Sequence, residues 1–198
     1  MIDEIIQREW EFFQKVHNIG GRASCQDDFE TFYLQRKGQF EVFYDNLLQS
    51  YLQDLKDAKA IGRNLVMEKY AYMMESTDFQ YFQTIKGDLP VLDFKQRELI
   101  DYICQVEVQM REEFNQKYPN LSSLMRDTYS HEDQQDDTSF ETYLRGELST
   151  YSPQTLWLYG QMIVDMLKRN ENMIIQIMHK TIEAYGYSSL EEAEEKHS

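Results

Sequence analysis

Two glutamates stand where a helix of a water-soluble bundle normally places aliphatic side chains. At about 100° per residue, Glu9 falls in the middle of the arc formed by Ile2, Ile5, Ile6, Phe12, Phe13 and Val16. Glu107 sits likewise among Ile100, Ile103, Met110 and Phe114. A carboxylate so placed must be paired, protonated or aimed into a polar cavity, because burying a bare charge is costly. Two such acids suggest one shared interior site at which either could act as an acid or base. The plainer alternative is that each closes the edge of its apolar stripe against a nearby Arg or Tyr.

A second concentration of chemistry lies in Gly20-Gly21-Arg22-Ala23-Ser24-Cys25-Gln26-Asp27-Asp28. Glycines allow a sharp turn, a helix start favours anions, and Arg22 adds a cation. On the functional reading Arg22 and the backbone hold an anionic group, and Asp27 or Asp28 serves as base or ligand. Against it, Asp27-x-x-Glu30 and Thr138-x-x-Glu141 both fit capping boxes, which only start helices. Cys25 has a helix start and Arg22 nearby, but no adjacent histidine, and a passive thiol is the favoured reading. The four histidines and two cysteines show no zinc-ligand spacing. A carboxylate-only magnesium or manganese site is the lesser option, and no metal or cofactor is assigned. Phosphate-loop, dinucleotide-binding and nucleophile-elbow motifs are absent.

These residues need elements to hold them, and the pattern is helical throughout. Helices are expected over about 2–17, from 27 or 28 past a possible break at Gly38, from Asp45 through Leu55, and over 64–74. A connector over 75–90 carries one short helical piece around 79–85. A long helix covers about 93–117, a polar loop 127–137, and three helices span 139–149, 153–169 and 171–184. Ser188-x-x-Glu191 opens a short last one. No segment alternates with period two, so the chain is expected to be all-α, a single bundle of about eight helices.

A phrase is also written twice. Gln26-Asp27-Asp28-Phe29-Glu30-Thr31-Phe32 returns as Gln135-Asp136-Asp137, then Phe140-Glu141-Thr142-Tyr143. Tyr51, Asp57 and Asn64 align without gaps on Tyr159, Asp165 and Asn172. The echo suggests two related halves, 1–90 and 91–198, around a common junction.

The composition narrows the class of function. Among 198 residues, 35 acids against 20 bases give a formal charge of −15. That field repels phosphate backbones and anionic membranes, so nucleic-acid and membrane partners are not expected. No apolar run is long enough to span a bilayer. The acidic start lacks the basic region of a signal peptide, and two cysteines are too few for a disulfide framework. A cytoplasmic protein is the expectation.

Glu9-Trp10, the 20–28 turn, Glu68-Lys69-Tyr70-Ala71-Tyr72-Met73-Met74, the stretch Asp137 to Ser152 and the ending Tyr185 to Ala193 together resemble an uncharacterised bacterial family, the domain of unknown function numbered 4125. The resemblance covers nearly the whole chain. It implies a bacterial helical protein and supplies no activity. It also implies a second role, as partner or substrate-holding module of a nucleotidyltransferase-like domain.

The leading expectation is a small-molecule site, with catalysis left open, at the junction of the halves. Glu9 and Glu107 are its inner acids. Arg22, Arg36 and Arg145 bind an anionic group, and Asp27, Asp28 and Asp137 orient the ligand or act as bases. Asn18, Cys25, Gln26 and Glu141 complete the lining. The alternative is a helical protein-interaction module or homo-oligomer whose polar residues are structural.

Overall fold

The computed structural model describes residues 1–17, 21–134 and 137–198. Among them are eleven α-helices and no strand, so the all-α expectation holds and the expected eight helices are too few. The helices are α1 (Ile2–Phe13), α2 (Phe29–Phe40), α3 (Asp45–Ala60), α4 (Leu65–Thr77), α5 (Phe79–Ile85), α6 (Phe94–Lys117), α7 (Pro119–Ser123), α8 (Phe140–Leu148), α9 (Pro153–Lys168), α10 (Met173–Ala184) and α11 (Leu190–Lys196). The undercount comes from short pieces. Asp78 accepts the Tyr81 N–H and starts α5, and Pro119 takes the first position of α7.

Helix starts follow local chemistry closely. Asp28 accepts the Thr31 N–H, Ser139 the Thr142 N–H, and Ser189 the Glu192 N–H. Each cap falls one residue later than the boxes expected at Asp27, Thr138 and Ser188, so the register of the start is set by the second polar residue. Asp93 and Gln96 form a reciprocal box at the head of α6. Each such cap contributes about 1 kcal/mol.

α1 stops at Phe13 rather than at His17. The Gln26 side-chain amide donates to the Phe13 and Val16 carbonyls, at 2.8 and 3.1 Å, and so takes over carbonyls a longer helix would have used. Gly38 does not break α2, and its value is its size. A Cβ there would lie 2.4 Å from Thr181 Oγ1 and 3.1 Å from the Thr181 backbone nitrogen on α10. Gly146 in α8 is equally constrained, by the Lys69 carbonyl at 2.9 Å and Met73 on α4.

These close crossings set the architecture. α2 lies against α10, α4 against α8 and α3 against α9, while α1 and α6 pack between them. α6 has 24 residues and is therefore about 36 Å long. Ile5, Ile6, Leu47, Leu55, Ile103, Phe114, Leu156 and Met162 form the buried middle. No helix among the described residues is long and apolar enough to cross a membrane.

Candidate functional site

Four charged side chains from four helices meet inside this packing. Glu9 of α1 is 3% exposed, and its carboxylate is gripped by Arg36 of α2, Nε to Oε2 at 2.7 Å and Nη2 to Oε1 at 2.6 Å. Tyr51 of α3 donates its hydroxyl to the same Oε1 at 2.6 Å. Arg36 also donates to both carboxylate oxygens of Glu147 on α8, at 3.1 and 3.2 Å, and to Gln39 Oε1 at 2.6 Å. Every N–H of the guanidinium has an acceptor, which this planar donor fork allows. Lys69 of α4 completes the chain with Nζ 2.7 Å from Glu147 Oε2 and 3.4 Å from the centre of the Tyr143 ring.

The order is Glu9, Arg36, Glu147, Lys69: two anions and two cations, all buried. Burial alone would raise the Glu147 pKa, but the Arg36 and Lys69 charges hold it well below the usual carboxylate range. For Arg36, burial pulls the pKa down and is outweighed by Glu147 and Glu9. Burial, with the Glu9 charge beside it, pushes the Tyr51 hydroxyl well up, so it stays a donor.

A cleft of about 30 Å³ opens against these groups. Its walls carry Glu9, Arg36 and Lys69 from one side of the bundle and Tyr143, Glu147 and Thr150 from α8 and the turn after it. Phe13, Phe32, Tyr51, Leu65, Val66 and Tyr70 line the rest. The space suits one water-sized group, since a water needs about 10–15 Å³ by this measure. Tyr70 and Tyr143 are only partly buried. Arg126 lies over the same Tyr143 ring, 4.9 Å from its centre, and donates to the Thr138 carbonyl.

Glu107 does not line this cleft. It is 2% exposed, and its Oε1 has no hydrogen-bond partner. Burial pushes its pKa up to about 8, against a smaller downward pull from the Tyr159 hydroxyl. Arg111, one turn along α6 and equally buried, has no partner for its Nε and no carboxylate salt bridge among the described residues. It donates to Met125 Sδ and the Arg126 carbonyl, and burial lowers its pKa to about 10.

The remaining expected residues lie elsewhere. Arg22 is tied to Asp27, Gln14 and the Gln26 carbonyl, and with Gln26 it closes the end of α1. Cys25 is an exposed free thiol in the same turn. Asp28 is a helix cap, and Asp137 is exposed and pairs its backbone with Gln134. Glu141 accepts the Ser130 N–H, and Arg145 is bonded to Asp101. Among the described residues, the repeated acids therefore do not converge on the cleft. Asn18, Gly20, Gln135 and Asp136 lie outside the described residues. No group of three or more His, Cys, Asp or Glu among the described residues is placed to hold a metal ion.

Lys69, Glu147, Gln39 and Tyr143 were not among the expected site residues. The test that singled out Glu9 would have found two of them. Lys69 has Leu65, Tyr72 and Met73 at helical spacing, and Glu147 has Tyr143, Leu144 and Tyr151. Comparison with known proteins gives a family and nothing beyond it. The family described as "Protein of unknown function (DUF4125)" matches residues 1–195, and the chain belongs to it. No curated protein and no solved structure matches the chain.

Proposed function

We propose that this member of a family described only as of unknown function binds a small polar ligand in the cleft, at the junction of two related halves. One observation carries the reading: a fully paired chain of two carboxylates and two cations, all buried, borders an opening between helices. Apolar side chains of similar volume would stabilise such a position as well or better. Four charges placed beside an opening are therefore better understood as a recognition surface than as cement.

The ligand class follows from which charges can be reached. Lys69 and Arg126 flank one ring, Tyr143, in a chain of net charge −15. The four lining charges balance one another, so Arg126 is the excess cation beside this ring, and it favours a carboxylate or phosphate oxygen there. Only one such group fits the 30 Å³ of the cleft. The rest of the ligand lies on Tyr70 and Tyr143 at the mouth. Glu9 and Glu147 hold Arg36 and Lys69 in place, and Tyr51 holds Glu9.

Matching bonds support the two halves. Asn64 caps α4 and donates to the Phe12 carbonyl of α1 at 2.8 Å; Asn172 caps α10 and donates to the Met110 carbonyl of α6 at 2.9 Å. α1 to α4 in one half correspond to α6, α8, α9 and α10 in the other, and the helix contacts correspond too.

A thermal-melt screen against small carboxylates, phosphates and neutral polyols tests the reading. Anionic compounds should raise the melting temperature of the wild-type chain, and Lys69→Met should abolish that shift. The variant should stay folded, since Glu147 keeps Arg36. A shift that persists undiminished in Lys69→Met places the ligand elsewhere. No shift with any compound favours the protein-interaction module instead.

A further inference from the structure

The framework around Glu107 follows that around Glu9, turn for turn. Phe13 of α1 stacks on Phe32 of α2, with ring centres 5.6 Å apart. One turn beyond Phe32 is Arg36, and one turn before Phe13 is Glu9, which it grips. In the other half, Arg111 of α6 lies 5.8 Å from the centre of the Phe140 ring of α8. One turn beyond Phe140 is Leu144, and one turn before Arg111 is Glu107. Leu144 thus holds the place that Arg36 holds in the first half, in the register that also sets Tyr51 on Tyr159 and Gly38 on Gly146; the repeated phrase, which sets Phe32 on Tyr143, is out of that register and does not align the helices.

The close glycine crossings fix the second correspondence. Gly146 meets Met73 and the Lys69 carbonyl of α4, and Gly38 meets Thr181 of α10. Lys69 lies one turn before Met73 and pairs with Glu147, the residue after Gly146. Ile177 lies one turn before Thr181, and the residue after Gly38 is Gln39. Ile177 thus holds the place of Lys69, and Gln39 that of Glu147. What the halves keep in common is the acid and its phenol: Tyr51 with Glu9, and Tyr159 beside Glu107.

We propose that the second half carries a closed counterpart of the cleft, and that Arg36 and Lys69, replaced there by Leu144 and Ile177, decide which of the two accepts a ligand. Only the last clause rests on the ligand reading; the correspondence of positions does not. Without a guanidinium at position 144, Glu107 keeps an oxygen with no partner and is held as the neutral acid, in accord with its raised pKa. Without an ammonium at position 177, nothing draws an anion into that side. The chain therefore takes one ligand, not two.

The test reads carboxyl protonation directly, by the infrared carbonyl band of buried protonated acids at pH 7. The wild-type protein should show one such band, and Glu107→Gln should remove it. Arg36→Leu should add a second band, from a Glu9 now placed as Glu107 is; adding Glu9→Gln should take that band away. Leu144→Arg should erase the Glu107 band by supplying the missing cation. A wild-type band that survives Glu107→Gln, or an Arg36→Leu protein that is folded by circular dichroism and shows no new band, overturns the proposal. So does a folded Leu144→Arg protein that keeps its band. If Leu144→Arg does not fold by circular dichroism, the Arg36→Leu pair decides alone. Expected spectra in a protein that binds no anion would sink the ligand reading and leave the correspondence standing.

Discussion

Removing the Arg36 guanidinium leaves Glu9 and Glu147 without the cation they share. Arg36→Met is expected to destabilise the fold by about 3–5 kcal/mol, the range for breaking a buried pair from one side. Glu9→Leu combined with Arg36→Met should cost less than the sum of the two single changes, because Glu147 keeps Lys69. A double-mutant cycle by urea denaturation measures this, and strict additivity would deny the coupling. Glu107 gives the opposite kind of signature. Its pKa is about 8 in the fold against 4.5 for the free group, so the unfolded chain releases this proton first. Glu107 therefore lowers stability progressively as pH rises from about 4.5 to 8, by an amount on the order of 5 kcal/mol at most. Glu147, held low, works the other way: it adds stability above its unfolded pKa, and that stability is lost as pH falls towards its folded value. Glu107→Gln should raise stability at pH 8 relative to wild type and leave it nearly unchanged at pH 4.5. Equal effects at both pH values would contradict the neutral-acid assignment.

Between helices, the two glycine crossings decide how closely α2 meets α10 and α8 meets α4. Gly38→Ala and Gly146→Ala each gain helix propensity of about 1 kcal/mol. Each must also push backbone apart, since a Cβ would sit 3.1 Å from the Thr181 nitrogen or 2.9 Å from the Lys69 carbonyl. Overpacking of this kind costs about 1–3 kcal/mol, so a net loss in denaturation midpoint is expected for both. A gain in either would show that the crossing is loose. The same two glycines mark where reading the sequence stops short. Gly38 looks like a break from one strand of text, because its partner Thr181 is 143 positions away. Glu9 was legible, since a single apolar arc exposes an acid out of place. Its partner was legible only as a type, an Arg or Tyr, and both turned out to serve. The dense polar turn at 20–28 looked like ligand chemistry, yet Gln26 is spent on the Phe13 and Val16 carbonyls at the end of α1, and Arg22 on Asp27, Gln14 and the Gln26 carbonyl. Local motifs report polar groups with work to do, and a helix end with unmet carbonyls is work enough.

At the scale of the whole chain, a formal charge of −15 sets the background against which any cation acts. Self-repulsion of that size is screened by salt, so melting temperature should rise between about 0.02 and 0.5 M sodium chloride. The buried Glu9–Arg36–Glu147–Lys69 chain is shielded from solvent ions and should not offset that rise. A melting temperature that falls with salt would mean exposed ion pairs outweigh the repulsion. The ligand reading meets its most direct test in native mass spectrometry of the protein as purified, without added metal, beside Lys69→Met and Glu107→Gln. One small anionic species per chain, retained by wild type and Glu107→Gln but lost from Lys69→Met, is the predicted result. A bare chain in all three, or a bound species that Lys69→Met retains as well as wild type does, would contradict it.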